Sequence, residues 1–150
     1  MKKFLSFFLL ILSFNLTSHE FNPAHLIIDQ SDDNQNRYDA TWMYPVKNIG
    51  KRADIIFPDI CNSNGSDPFV QGKYIIEKIS LECNESIKGK FIEIINLSVL
   101  TDALVTINFN EDTFEGLINV QKNKIEIPLV DQYYPTAYLY LGVGHLFDGL

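Results

Sequence analysis

The stretch that decides the fold class is ALVTINFNEDTFEGLINV, residues 103–120. Apolar side chains occupy every second position from Ala103 to Phe109, and polar or smaller residues fill several positions between them. Alternation with a period of two is typical of a strand that is buried on one face. The run at 110–112 (Asn-Glu-Asp) then favours a turn, and a second apolar segment starts at Thr113. The stretch therefore predicts a β-hairpin.

The same alternation appears earlier in the chain. Tyr38, Ala40 and Trp42 share one face of a segment that begins at Arg37, and Pro45 closes it. Five further segments, each bounded by Gly, Pro, Asn or Asp, bring the number of candidate strands to eight; they are residues 24–29, 53–57, 73–83, 90–97 and 124–130.

No stretch between Glu20 and Val130 has the 3.6-residue period of an amphipathic helix. The polar run at 62–68 reads as a loop. Many short strands separated by turn residues predict an all-β domain, an immunoglobulin-like two-sheet sandwich of seven to eight strands.

The first 18 residues have the features of a secretory signal peptide. Lys2 and Lys3 form a basic start, an apolar run of 13 residues covers 4–16, and small or polar residues lead to Ser18. The run is shorter than the ~20 residues that span a bilayer, which favours cleavage after Ser18; an uncleaved anchor is the alternative. We expect an extracytoplasmic domain at 19–132.

The charge of the exported part excludes one class of partner. Removal of Lys2 and Lys3 from the 12 basic residues leaves 10 against 19 acidic ones, a formal charge of −9. Such a surface repels phosphate backbones, and the chain has no glycine-rich phosphate-binding motif. We expect no nucleic-acid binding.

Cys61 and Cys83 are the two cysteines of the chain, and both follow the export signal. An oxidising compartment allows a disulfide between them to persist, and we predict one. In the chain-entropy view it stabilises the fold by about 3 kcal/mol. A redox or metal-binding pair is the alternative, although such pairs prefer C-x-x-C spacing.

The composition of the chain changes near residue 133. Two tyrosines and Pro135 precede an apolar, tyrosine-rich segment that runs to Leu150. Tyrosines followed by an uncharged apolar run are typical of the entry to a transmembrane helix. The 14 residues from Ala137 are too few to cross about 30 Å of hydrocarbon. Residues 133–150 are thus a linker and the beginning of a membrane helix, or a short helix that docks on the sandwich.

These features in this order resemble the HupE/UreJ-like membrane proteins that have a large extracytoplasmic N-terminal domain. The residues that carry the resemblance follow the export signal: His19-Glu20 with Pro23-Ala24, the strand that ends in Trp42, the spaced Cys61 and Cys83, and Tyr138-Leu139-x-Leu141-Gly142-Val143-x-His145-x-x-x-Gly149. The last segment resembles the start of the family's first conserved membrane helix, in which an Asp-His pair follows the glycine.

The resemblance implies a periplasm-facing domain of an inner-membrane protein in a Gram-negative bacterium, linked to the transport of nickel or cobalt. It makes His145 a candidate metal ligand, with a histidine near the membrane interface as the alternative; histidine and aspartate suit such ions. Cleavage after Ser18 would make His19 a second candidate, since it would offer an α-amine and an imidazole. A solvated chain end is the alternative. No cofactor is expected in the domain.

An enzyme is not expected. Of the three histidines, His19 and His145 lie near the chain ends, and His25 is predicted to be an ordinary surface residue. Four scattered carboxylates are expected on solvated strand faces; they are Glu77, Glu82, Glu93 and Asp102. The alternative to a transporter domain is a secreted or membrane-tethered β-sandwich that binds a partner.

Overall fold

Ten β-strands and a single 3₁₀ turn form the regular structure of residues 22–48, 53–98 and 101–129, which are the residues that this computed structural model describes. Among them, no helix has the length and apolar character needed to cross a membrane. The strands are β1 Ala24–Gln30, β2 Arg37–Pro45, β3 Asp54–Ile56, β4 Cys61–Gly65, β5 Phe69–Gln71, β6 Tyr74–Cys83, β7 Phe91–Ile95, β8 Ala103–Asn108, β9 Thr113–Ile118 and β10 Lys124–Glu126, and the 3₁₀ turn is Val46–Asn48.

The strands form two sheets. The seven-stranded sheet has the order β4-β6-β2-β1-β8-β9, with β5 also paired to β6, and the three-stranded sheet has the order β10-β7-β3. All pairs are antiparallel except β1 with β8. The predicted all-β, two-sheet sandwich is confirmed, and so is the hairpin of β8 and β9. The predicted signal peptide at 1–18 and the tail at 133–150 lie outside the described residues.

The core lies between the inner faces of the two sheets. The register places Leu26 beside Trp42 on one side and beside Val105 on the other, so the apolar rows of β1, β2 and β8 form one continuous surface. From the small sheet, Ile92 and Ile94 reach this surface and are fully buried. Each such side chain contributes about 1.5–3 kcal/mol of transfer free energy, which explains why alternation in the sequence predicts the inner face so well.

The polar run at 62–68 is not a loop throughout, which corrects the sequence-based expectation. Residues from Cys61 to Gly65 form β4 along β6, and β5 continues beside the same strand after a break that ends at Pro68. At the break, the Ser66 N–H donates to the Lys78 carbonyl at 2.7 Å, and the Lys78 N–H donates to Ser66 Oγ at 3.2 Å. The ten-residue β6 therefore has a partner strand along most of its length, interrupted where proline lacks a donor.

The sandwich is closed on one side and open on the other. On the closed side a short connection joins β9 of the large sheet to β10 of the small sheet. A Cβ added at Gly116 in β9 would lie only 2.8 Å from Ile125 Cδ1 in β10. Glycine at position 116 therefore permits the two sheets to approach closely there. On the other side, β4 and β3 end their respective sheets. Each has a strand partner on one edge only within the described residues. This open side positions the candidate site.

Candidate functional site

A cleft of about 160 Å³ lies at the open side of the sandwich, and we call it the mouth cleft. It reaches from the rim formed by β3 and β4 to the inner face of β6 and β2. Aromatic and aliphatic side chains form much of its wall, together with two carboxylates, one hydroxyl and one glycine. The lining residues are Trp42, Ala53, Asp54, Ile55, Phe57, Ser63, Gly65, Glu77 and Ile79.

Trp42 is the largest side chain in the wall of the mouth cleft. Alternation along β2 turns it inward, its exposed fraction is 1%, and its ring stacks on Tyr44 with centroids 6.0 Å apart. Its buried Nε1–H has no hydrogen-bond acceptor among the described residues. A buried donor without an acceptor costs about 1–3 kcal/mol. The wall of the mouth cleft therefore contains a buried donor whose hydrogen bond is not made within the described residues.

Glu77 lies directly opposite Trp42 in the β2–β6 register, on the inner face of the sheet. Only 9% of the residue is exposed, and within the described part of the chain it is one of two buried polar residues. A Cβ added at Gly65 would lie 2.9 Å from Glu77 Oε1, so the carboxylate extends from β6 to the backbone of β4. Glycine at position 65 leaves room for the carboxylate and keeps the cleft open toward the sheet edge.

The backbone of β4 adds polar groups to the rim. Asn84 N–H donates to the Ile60 carbonyl at 2.9 Å, and the Ser66 N–H donates to Lys78 at the other end of the strand. Hydrogen-bonded pairs alternate in an antiparallel ladder, so the N–H and C=O groups of Ser63 and Gly65 point away from β6. These two residues also line the mouth cleft. A strand edge that has no partner strand among the described residues can accept an added strand.

The groups that line the mouth cleft are a carboxylate acceptor, an indole donor and aromatic side chains. The Glu77 carboxylate is a hydrogen-bond acceptor, the Trp42 indole is a donor, and Phe57 adds an aromatic side chain to the lining. His25, the histidine of the described residues, lies on the outer face of β1, with its ring centroid 5.9 Å from that of Tyr74. It is half-buried rather than freely exposed, and burial lowers its pKa from the usual 6.5. It is not among the residues that line the cleft.

A second concavity of about 500 Å³ lies on the outer face of the large sheet. Asp29 and Asp39 face each other there across β1 and β2. Asp29 accepts a hydrogen bond of 2.7 Å from Asn108 Nδ2, and Asp39 accepts one of 3.2 Å from Ser80 Oγ. Since neighbouring side chains already occupy these carboxylates, the depression is a weaker candidate than the mouth cleft.

The four site residues predicted from the sequence, Cys61, Cys83, His19 and His145, do not come together in one site within the described residues. Cys61 and Cys83 form the predicted disulfide, which joins register partners in β4 and β6. This disulfide indicates an oxidising compartment. His19 and His145 lie outside the described residues. Within 22–48, 53–98 and 101–129, no three histidine, cysteine, aspartate or glutamate side chains converge to hold a metal ion.

Glu77 was wrongly expected on a solvated strand face, whereas Glu82 on the same strand is exposed as predicted. A signal for its true position exists in the sequence, because Glu77 alternates with Ile79 and Leu81, which belong to the core face. Apolar Ile76 on the outer face obscures that pattern. The role of Trp42 in a cleft was not predicted either, since alternation indicates only that it is buried.

No family model matches this chain, and no curated protein matches it significantly. The likeness to HupE/UreJ-like proteins therefore rests on the residues quoted from the sequence, above all Tyr138 to Gly149.

Proposed function

We propose that this chain is the exported N-terminal part of a HupE/UreJ-like membrane protein and that its β-domain is a binding module without catalytic activity. The mouth cleft carries the binding role: it combines a buried carboxylate with an indole N–H that lacks an acceptor within the described residues, beside two strands at sheet edges. Ligand sites are concave and supplied with a few oriented polar groups. The mouth cleft is a concavity of this kind, with Ser63, Asp54 and Glu77 among the side chains that line it.

The membrane part of the proposal is supported by the sequence from Tyr138 to Gly149. On this proposal the domain faces the periplasm of a Gram-negative bacterium and is attached to the inner membrane. Nickel or cobalt is the transported ion, with His145 and His19 as proposed ligands, and the β-domain needs no cofactor. The oxidising compartment indicated by the disulfide agrees with a periplasmic location.

The gene beyond codon 150 tests the membrane part first. An open frame that continues into an Asp-His pair and several apolar helices is the expected result. An alkaline phosphatase fusion after Leu129 should be active only when residues 1–18 are present, since that enzyme needs export to fold. A stop codon after Leu150, or an equally active fusion without residues 1–18, contradicts the corresponding part of the proposal.

Uptake of radioactive nickel by cells expressing the whole gene tests whether the domain contributes through the mouth cleft. Gly65→Leu fills the cleft, because the added side chain starts 2.9 Å from Glu77 Oε1, at a glycine without positive φ. Asn62→Leu adds a similar side chain to the exposed outer face of the same strand. We expect Gly65→Leu to reduce uptake and Asn62→Leu to leave it unchanged. Equal uptake in both variants contradicts a role for the cleft in transport.

The alternative function is a secreted or membrane-tethered binding module without a transport role. Its supporting observation is that the mouth cleft is formed by residues 42–79, all within the β-domain. This alternative predicts that a strain lacking the gene takes up nickel and cobalt normally, whereas partner binding still depends on the cleft.

A further inference from the structure

We propose that β4 pairs with the β4 strand of a second copy of this chain, so that two large sheets join into one continuous sheet across a two-fold axis. This inference goes beyond the proposed function and does not depend on transport. Three features support it: the backbone groups that β4 directs away from β6, the side chains of β4, and the exposed apolar residues of β5. We call the side of β4 that faces away from β6 its outer edge.

The outer edge of β4 presents two hydrogen-bond donors and two acceptors. They are the N–H and C=O groups of Ser63 and Gly65, and these groups bond to no other part of the described chain. Cys61 differs, because its N–H already donates to the Pro58 carbonyl at 2.9 Å. Backbone groups that a sheet edge leaves without a protein partner are the groups to which a further strand adds.

These groups select one register for an antiparallel pair of β4 strands. With Ser63 of one copy opposite Gly65 of the other, four hydrogen bonds pair every donor and acceptor of the two outer edges. With Ser63 opposite itself, Gly65 would face Cys61, whose N–H is already used, and the Gly65 carbonyl would stay unpaired. The two-fold axis therefore passes beside Asn64, which faces Asn64 of the second copy as a non-hydrogen-bonded pair.

The side chains of β4 suit contact between identical strands. Asn62, Ser63, Asn64 and Gly65 carry no charge, and β4 has neither the lysine nor the proline that often protects a sheet edge. Like charges directly opposite each other destabilise a strand pair, whereas an asparagine amide can both donate and accept a hydrogen bond. The exposed residue at the axis, Asn64, can therefore bond to its own copy without repulsion.

The exposed apolar residues of β5 favour a second copy over an unrelated strand. Phe69 is 46% exposed and Val70 is 66% exposed, and β5 follows β4 along the same side of β6. In the antiparallel pair, β5 of one copy runs beside the chain that precedes β4 in the other. That chain contributes the partly exposed Pro58 and Ile60. The two-fold axis repeats this apolar contact, so it adds to the backbone bonds at both ends of the interface.

The charge of the chain opposes this association, and the symmetry limits it. Both copies use the same outer edge, so none remains for a third copy and the assembly ends at a dimer. A formal charge of −7 makes two copies repel each other at low ionic strength. Salt screens this repulsion. In sedimentation equilibrium of the full chain in mild detergent, we therefore expect the dimer fraction to rise between about 0.03 M and about 0.5 M NaCl.

Cysteine cross-linking tests the register directly, because the two native cysteines are joined to each other and a new one provides the only free thiol. Asn64→Cys places two Cα atoms about 4.5 Å apart across the axis, within the limit of about 7 Å for a disulfide. Asn62→Cys is the matched control on the same face of β4, where the two copies lie about 14 Å apart. Cells expressing each variant of the whole gene are oxidised with copper phenanthroline and analysed by non-reducing electrophoresis. We expect the yield of covalent dimer to be at least about tenfold higher for Asn64→Cys.

A charge at the axis tests the reversible association. Asn64→Lys places like charges directly opposite each other, and it should raise the Kd of the dimer by about fivefold or more. Asn62→Lys adds the same charge to the same face away from the axis, and it should change the Kd by less than about twofold. Both variants reduce the net negative charge equally, so overall charge does not explain a difference between them.

The inference is overturned if the two cysteine variants cross-link equally, or if neither does. It is also overturned if the dimer fraction falls with added salt, or if Asn62→Lys weakens the dimer as much as Asn64→Lys. An extended peptide of another protein on β4 would give the result in which neither variant forms a covalent dimer. None of these results bears on the proposed function, which the uptake of nickel by the Gly65→Leu variant tests separately.

Discussion

Removal of the Cys61–Cys83 disulfide should destabilise the domain by an amount that follows from its position in the chain. The bridge joins residues 22 positions apart, and the chain-entropy relation for a loop of this length gives about 3 kcal/mol at 25 °C. Unfolding entropy is about 2.1 cal/mol/K per residue, or about 0.23 kcal/mol/K for a domain of roughly 110 residues. The expected fall in Tm is therefore about 13 °C.

Thermal unfolding followed by circular dichroism measures this effect on the oxidised protein, the reduced protein and the Cys61→Ser/Cys83→Ser variant. Reduction keeps both sulfur atoms, so it isolates the cross-link from the packing of the two half-buried side chains against the core. The double variant should melt at or slightly below the reduced protein. A reduced protein that melts within about 3 °C of the oxidised one would refute the entropic reasoning.

The same experiment has a local consequence for the mouth cleft. β4 is held in its sheet by β6 on one edge, and the disulfide connects the first residue of β4 to the last residue of β6. In the reduced protein we expect the amides of Asn62 and Asn64 to exchange with solvent faster relative to those of the central β2. Uniform acceleration across the sheet would show instead that β4 opens only with the whole domain.

Three further predictions concern the sheets themselves. Ile94→Ala removes a fully buried side chain and should lower the free energy of unfolding, measured by chemical denaturation, by about 2–5 kcal/mol. Ile56→Ala, at a residue that is 43% exposed, should lower it by less than about 1 kcal/mol. Similar losses in the two variants would contradict the assigned core. Asp39→Asn should stabilise the domain by about 0.2–1 kcal/mol at low salt and by less at 1 M NaCl, because it removes the charge opposite Asp29. A loss of stability would show that the hydrogen bond from Ser80 to the Asp39 carboxylate outweighs the repulsion between the two charges. Burial lowers the pKa of His25 below 6.5, so the unfolded chain binds the proton more readily than the folded one, and the free energy of unfolding should fall as the pH decreases from 6.5 toward the folded pKa. The His25→Gln variant should lose this part of the pH dependence. Identical plots of unfolding free energy against pH for the two proteins would refute the prediction.

Periodicity explains why much of the architecture could be predicted. Residues 103–120 form the hairpin of β8 and β9, and Tyr38, Ala40 and Trp42 face the core as their alternation indicates. Side-chain direction in a strand is a local property of the backbone, so it is visible in a single sequence. The disulfide was predictable for another reason, since a chain with two cysteines has only one intramolecular pairing.

β4 was missed because its strand character does not come from its own residues. Asn62, Ser63 and Asn64 favour turns, and nothing in their pattern indicates a buried face. The neighbouring β6 supplies the hydrogen-bond ladder and Cys61 is covalently attached to it, so tertiary context overrides the local preference. Composition was a poor guide to an edge strand whose side chains are largely exposed.

The sequence by itself determined the all-β class, most of the strand faces, the acidic composition and the cysteine pairing, because each of these depends on neighbouring residues or on composition. The resemblance to a membrane protein family likewise came from the sequence alone. Only the tertiary structure decided that Glu77 lies opposite Trp42 and beside Gly65, at the open side of the sandwich. These residues are separated by 12 to 35 positions in the chain and meet through strand order and register. Long-range pairing of this kind leaves no periodic signal in a sequence, because it is selected by the packing of the whole domain.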